Sequence, residues 1–196
     1  MEANISPMTP GATYHVFNHG NGSDNLFRTP DNYRYFMSKY WQHTAGIVRT
    51  YAYCLMPNHF HFLVAVRDEK SLRDLTGFKD LSGLCLEKKT VQQFSNFFNC
   101  YAKAFNRMHH RRGKLFLAPF RRKPVNNQHQ FINTWKYILF NPVHHGFVEE
   151  PKRWAHSSIH HHRTRFEGDL PYEIDVSNWS RKELIPDWAE FLELDY

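Results

Sequence analysis

The chain has 196 residues, a formal net charge of +6, 41% apolar residues and 22% charged ones. This suits one globular domain with a sizeable core, and there is no internal repeat or low-complexity segment. Three further classes are not expected: no run approaches the roughly 20 apolar residues of a membrane span, the start MEANISPMTPGATYHV does not read as a basic, apolar leader, and the odd set Cys54, Cys85 and Cys100, without C-x-x-C spacing, fits neither a disulfide framework nor a zinc ribbon.

The expectation is a reducing, cytoplasmic compartment and no membrane partner. In chain order, ATYHVFNHG (residues 12–20) alternates and then meets Gly and Asn, as a strand and turn do. Pro30 and Asp31 open a helix that carries Tyr33, Phe36, Met37 and Tyr40 at three- and four-residue spacing and ends at Gly46. IVRTYAYCLM (47–56) is rich in β-branched and aromatic residues, MPNH is a turn, and HFHFLVAV is the return strand of a hairpin. Residues 68–90 read as a linker or short helix. Val91, Phe94, Phe98, Tyr101, Phe105 and Met108 then mark the clearest amphipathic helix, with Gly113 as its cap.

KLFLAPFRRKPV is strand-like, with Pro119 placing it at an edge. NQHQFINTWKYILF is a second helix, stopped by Asn141-Pro142. HSSIHHHRTR (156–165) reads as a surface basic run, and the acidic tail carries a short helix near Pro186–Leu194. This order predicts an α+β, ferredoxin-like (RRM-like) sandwich: an antiparallel sheet, helices on one face, the other face free, and extra C-terminal helices. The domain is placed at 1–165 and an acidic extension at 166–196.

Charge is segregated. From Lys88 to Val148 there is no Asp or Glu, while nine acids fall between Glu167 and the C-terminus. Such a basic stretch points to a polyanion, because Lys and Arg neutralise phosphates and release counterions.

Within the hairpin, His59 and His61 are two apart, so both project from one face while Phe60, Phe62 and Val64 enter the core. Two neutral imidazoles side by side are natural ligands for one divalent ion. No third His shares a register with them, which argues against structural zinc and for Mg²⁺ or Mn²⁺ with positions open to phosphate. The nucleophile is then a metal-bound water or a side chain, and Tyr101, in the acid-free segment, is the side-chain candidate.

YAYCLMPNHFHFLV, with TYHVFNHG, YAKAFNRMHHRRGKLF, KYILFNPVHHGFV and the trailing Ser157-Ser158, resembles the REP-associated tyrosine transposases and their relatives, the single-strand transposases with a His-hydrophobic-His motif and one tyrosine. The resemblance covers most of residues 12–160. It implies a divalent metal on His59 and His61, Tyr101 as nucleophile, and a 5′-phosphotyrosine intermediate. It also implies a polar metal ligand on the tyrosine's helix; Phe105, one turn on, cannot ligate, so Asn106 is the candidate. The implied substrate is single-stranded DNA folded into hairpins, contacted by Arg107, Arg111, Arg112, Lys114, Arg121, Arg122, Lys123 and His19. The protein is expected as a monomer or homodimer. Two rivals stay open: a nucleic-acid-binding module on the same fold without catalysis, and a metallohydrolase using activated water.

Overall fold

The structure, a computed structural model, describes residues 6–76, 83–117 and 119–160. The elements are β1 (Thr13–His19), α1 (Pro30–Thr44), β2 (Val48–Leu55), β3 (His59–Val66), α2 (Glu69–Thr76), α3 (Gly83–Met108), β4 (Arg121–Val125) and α4 (Gln128–His144). The strands form one antiparallel sheet in the order β2-β3-β1-β4. That is the β-α-β-β-α-β order of a ferredoxin-like sandwich. The acidic extension, with the helix expected near 186–194, lies outside the described residues.

Strand alternation sorts the side chains into two layers. Tyr14, Val16, Phe60, Phe62 and Val64 face α1 and α3, where they meet Phe36, Tyr40, Phe94, Phe97 and Tyr101. The rings pack closely: Tyr40 stacks on Phe62 at 4.1 Å, and Phe36 meets Phe97 edge-on at 4.7 Å. α1 starts where Pro30 needs no N–H partner, and Asn32 Oδ1 accepts from the backbone N–H of Arg28 and Thr29 at 3.0 and 3.2 Å.

The second face is not free. α4 lies across it, packing Phe131, Trp135, Ile138 and Leu139 against Phe17, Tyr51, Ala52, Cys54 and Leu63. A β-bulge between Thr50 and Ala52 turns both Tyr51 and Ala52 toward this layer. Burial of residues nearly all round α4 made this helix's role hard to read, since its apolar stripe has no clear edge.

Boundaries differ in places. α3 begins at Gly83 and takes up part of the expected linker. It ends at Met108, where His110 supplies the left-handed turn (φ 50°), and Gly113 (φ 89°) serves the loop beyond rather than the cap. β4 is confined to Arg121–Val125, and Phe116 makes only an isolated bridge to Gly20. α4 runs through Pro142 to His144, because a proline in the last turn removes one N–H while the chain behind it still closes: His145 N donates to Asn141 O at 3.1 Å. The start of the His-rich run is no surface strip. Ser157 and Ser158 are buried, and Ser158 Oγ accepts from Tyr53 N at 2.9 Å on the outer edge of β2.

Candidate metal and nucleophile site

His59 and His61 do project from one face of β3, and β1 sets His19 opposite His59 and Phe17 opposite His61. His19 stacks on His59 at 4.8 Å, and His15 lies diagonally beside His61. The turn before β3 is held close to the end of β1: Gly20 N donates to Asn58 O at 2.7 Å. A Cβ on Gly20 would overlap the backbone carbonyl of Asp24, so only glycine fits that approach.

α4 brings the rest. Tyr137 and Asn141 are one turn apart, about 6 Å along the helix. His59 and His61 are two strand residues apart, nearly the same distance. α4 therefore lays Tyr137 over His61 and Asn141 over His59. The Tyr137 ring meets the His61 ring edge-on at 5.1 Å, and Asn141 Oδ1 lies 2.9 Å from His59 Nε2. His145, the residue after α4, sits 5.0 Å from the His59 ring.

The outer nitrogens are occupied. Asn58 Oδ1 is 2.8 Å from His59 Nδ1, and His15 Nε2 is 3.0 Å from His61 Nδ1. A neutral imidazole has a single N–H. If His59 uses it on Asn58, its Nε2 presents a lone pair to the lone pairs of Asn141 Oδ1. His61 Nε2 and Asn141 Nδ2 are buried without a hydrogen-bond partner. His59 Nε2 and Asn141 Oδ1 lie within hydrogen-bond distance of each other, while His61 Nε2, on a ring 5.1 Å from that of His59, has no hydrogen-bond partner. Two imidazole nitrogens and one amide oxygen fit a divalent cation. Among the described residues no three His, Cys, Asp or Glu are grouped as a metal site.

Electrostatics keep the rings neutral. Burial is the main cause that lowers His59 to about 3, against the opposing hydrogen bond of Asn141. Burial and then the Lys123 charge lower His15 to about 3. Burial, reinforced by the neighbouring histidines, holds His61 well below its ordinary value. Deprotonated rings at neutral pH are the form that ligates metal.

Tyr101 is elsewhere. It lies in the α1–α3 layer, on the other side of the sheet from the two histidines, and its hydroxyl donates to Leu26 O at 2.5 Å. Burial raises its pKa, with Tyr33 adding to the effect. A cavity of about 480 Å³ runs beside it between α1 and α3, lined by Tyr35, Phe105 and Met108 among others, away from the histidines. Asn106 is likewise not with the histidines: it closes the loop after α3, donating to Gly113 O and accepting from Arg111 Nη1, both at 2.9 Å. The sequence signal that points to Tyr137 and Asn141, passed over in the expectation of Tyr101, is a tyrosine with a polar residue one turn on, inside KYILFNPV.

The basic residues divide. Arg111 pairs with Asp24 and also donates to Lys114 O. Arg122 Nε donates to Ser6 O, and its guanidinium lies over Phe120. These two have structural partners. Arg107, Arg112, Lys114, Arg121 and Lys123 are exposed. Register places Arg121 and Lys123 on the histidine face, opposite Phe17 and His15. The loop carrying Arg112 and Lys114 is tied to the end of β1, since Leu117 N donates to His19 O at 3.0 Å and Asn21 N to Leu115 O at 2.8 Å. Exposed positive charge thus borders the His19 rim of the site.

A protein of Haemophilus influenzae named "Putative REP-associated tyrosine transposase" is 27% identical over 132 residues, covering 66% of this chain. The fold matches, at a TM-score of 0.63, a structure of a REP-associated tyrosine transposase bound to a REP hairpin. By sequence and by fold, the resemblance is to the REP-associated tyrosine transposases. The structural match covers 92% of this chain and 95% of the other at 18% identity, and so speaks for the fold. The chain spans 65% of the length of the curated transposase. No family model matches. Among the described residues, no helix is long and apolar enough to cross a membrane.

Proposed function

We propose that the chain is a transposase that cuts and rejoins single-stranded, hairpin-forming DNA, with Tyr137 as the nucleophile and His59, His61 and Asn141 as ligands of Mg²⁺ or Mn²⁺. The observation that carries this reading is the Tyr137 ring against His61, in the same layer as the unpartnered His61 Nε2 and the contact of His59 Nε2 with Asn141 Oδ1. Tyr101, the nucleophile expected from its helix, has a sheet between it and those donors.

Tyr137 Oη attacks the phosphorus, and the bond from phosphorus to the 3′ oxygen breaks. The phenolic proton passes to water, the departing 3′ oxygen takes one from water, and the 5′ phosphate stays on the tyrosine. Attack by a 3′ hydroxyl reverses the step and restores a phosphodiester, so ester energy is conserved. When bound, the divalent ion supplies Lewis-acid stabilisation of charge on the phosphate oxygens. α4 and β3 fix the nucleophile relative to the ligands, and positioning of this kind accounts for much of the barrier reduction in phosphoryl transfer. Arg107, Arg112, Lys114, Arg121 and Lys123 contact the DNA backbone and set affinity rather than sequence.

A second reading, a DNA-binding protein without catalysis, draws on the burial of Tyr137 at 0% exposure. One experiment separates the readings. Labelled single-stranded hairpin oligonucleotides from both flanks of the gene are incubated with the protein and Mn²⁺, then run on a denaturing gel. The transposase gives a shifted covalent band that disappears with chelator or Tyr137→Phe and survives Tyr101→Phe. Binding without a covalent band supports the second reading. Cleavage that persists in Tyr137→Phe means an activated water instead.

A further inference from the structure

We infer that His15 is a positioning residue for this site: its imidazole holds His61 in the Nδ1–H tautomer and so aims the Nε2 lone pair at the cation. The inference rests on the metal reading above and deepens it by assigning a role to a residue outside the ligand set.

The argument begins with proton count. His61 has one N–H when neutral, and it can ligate through Nε2 only if that proton sits on Nδ1. A proton on Nδ1 inside a dry layer needs an acceptor. His15 Nε2 is that acceptor, 3.0 Å away. The opposite assignment, with His15 donating, would put the His61 proton on Nε2, which has no hydrogen-bond partner in its buried setting. A proton on Nε2 would also take away the lone pair through which His61 could ligate a cation.

Sheet geometry makes the contact. Register pairs His15 with Leu63 and His61 with Phe17, so the two histidines are diagonal neighbours across β1 and β3. His15 cannot swing away. It is buried, its ring lies 4.9 Å from Phe17, and the Tyr137 ring meets it edge-on at 5.8 Å. One side chain therefore braces both the ligand and the proposed nucleophile. The arrangement at His59 is parallel, with Asn58 Oδ1 on its Nδ1. Both outer partners are neutral, where a metal-bound histidine often has a carboxylate. A neutral acceptor sets the tautomer without adding a charge to the apolar layer under α4.

The test uses the full chain without metal, labelled with ¹⁵N, and reads the tautomer of His61 by long-range ¹H–¹⁵N correlation. The unchanged protein should show His61 protonated on Nδ1. His15→Phe, close in shape but with no acceptor, should move that proton to Nε2. His15→Gln, whose side-chain oxygen can accept, should return it to Nδ1. Mn²⁺ titration of the same proteins should show roughly 10- to 100-fold weaker binding for His15→Phe, with most of the loss recovered in His15→Gln. A purely packing role predicts the reverse order, with Phe tolerated better than Gln.

An Nε2–H tautomer in the unchanged protein overturns the inference. So does a His15→Phe protein with the same tautomer and the same Mn²⁺ affinity. If His15→Phe does not fold, His15→Gln decides alone: Nδ1–H with near-normal Mn²⁺ affinity supports the role, and Nε2–H with normal affinity overturns it. Failure of the unchanged chain to bind Mn²⁺ overturns the metal reading and, with it, the purpose given to His15, and the tautomer spectrum distinguishes that case.

Discussion

Asn141 Oδ1 lies 2.9 Å from Nε2 of His59, a contact between residues 82 positions apart in the chain. It joins a helix on one face of the sheet to a central strand, and it is the contact a cation would take over. Asn141→Ala is expected to weaken Mn²⁺ binding by about tenfold or more, and Asn141→Asp, which keeps a hard oxygen donor, to retain it. Calorimetric titration of the three proteins checks both.

Tyr101 is expected to matter for stability alone. Tyr101→Phe removes the hydroxyl that donates to Leu26 O while leaving the ring among Phe27, Phe36 and Phe105. The cost should be about 0.5–1.5 kcal/mol, a fall in Tm of a few degrees, with undiminished covalent adduct. Thermal unfolding and the denaturing gel together test this.

Acid should unfold the protein through its buried histidines. Their ordinary value is near 6.5, while His15 and His59 lie at about 3 and His61 well below ordinary in the folded chain. Below pH 6.5 the unfolded chain binds protons that the folded one refuses. Stability is therefore complete above about pH 6.5 and falls as pH drops toward 3, by up to roughly 1.4 kcal/mol per pH unit for each histidine. Urea midpoints measured between pH 7.5 and 4.5 should decline, and His15→Phe should flatten the slope.

Divalent metal should stabilise the fold, because the ligands come from two elements that separate on unfolding. Mn²⁺ at 100 times its Kd should add about 2.7 kcal/mol and raise Tm by roughly 5–10 °C. A chelator should reverse the shift, and His61→Ala should not show it. A shift of equal size in His61→Ala would place the ion elsewhere.

Much of the fold was legible because alternation in HFHFLVAV and the stripe on α3 are each set by one dominant period. The pairing of His59 with His61 followed from the same alternation. Tyr137 and Asn141 were less legible for a physical reason. α4 is buried on most sides, with Phe131, Trp135, Ile138 and Leu139 around them, so its tyrosine does not stand out from a core stripe. α3 has a cleaner amphipathic pattern and drew the expected nucleophile to Tyr101, whereas the nucleophile proposed from the structure is Tyr137, with Asn141 one turn on. Which helix covers the histidines depends on the contact between α4 and the sheet, and that is a long-range fact no local period contains.

The outer strands have a further consequence, for association between molecules. β2 has its outer rim covered by residues 156–158, through Leu55 N to His156 O at 2.9 Å and Tyr53 N to Ser158 Oγ. β4, paired only with β1, carries Arg121, Arg122 and Lys123 and then Pro124, which has no N–H to offer. Among the described residues no strand pairs with the far rim of β4, and charge and proline there discourage another strand from adding. Arg121 and Lys123, proposed to hold DNA, thus also help to keep molecules from zipping together edge to edge. Stripping them to lower DNA affinity would leave a strand open to self-association, and neutral variants at these positions should be made with that second duty in mind.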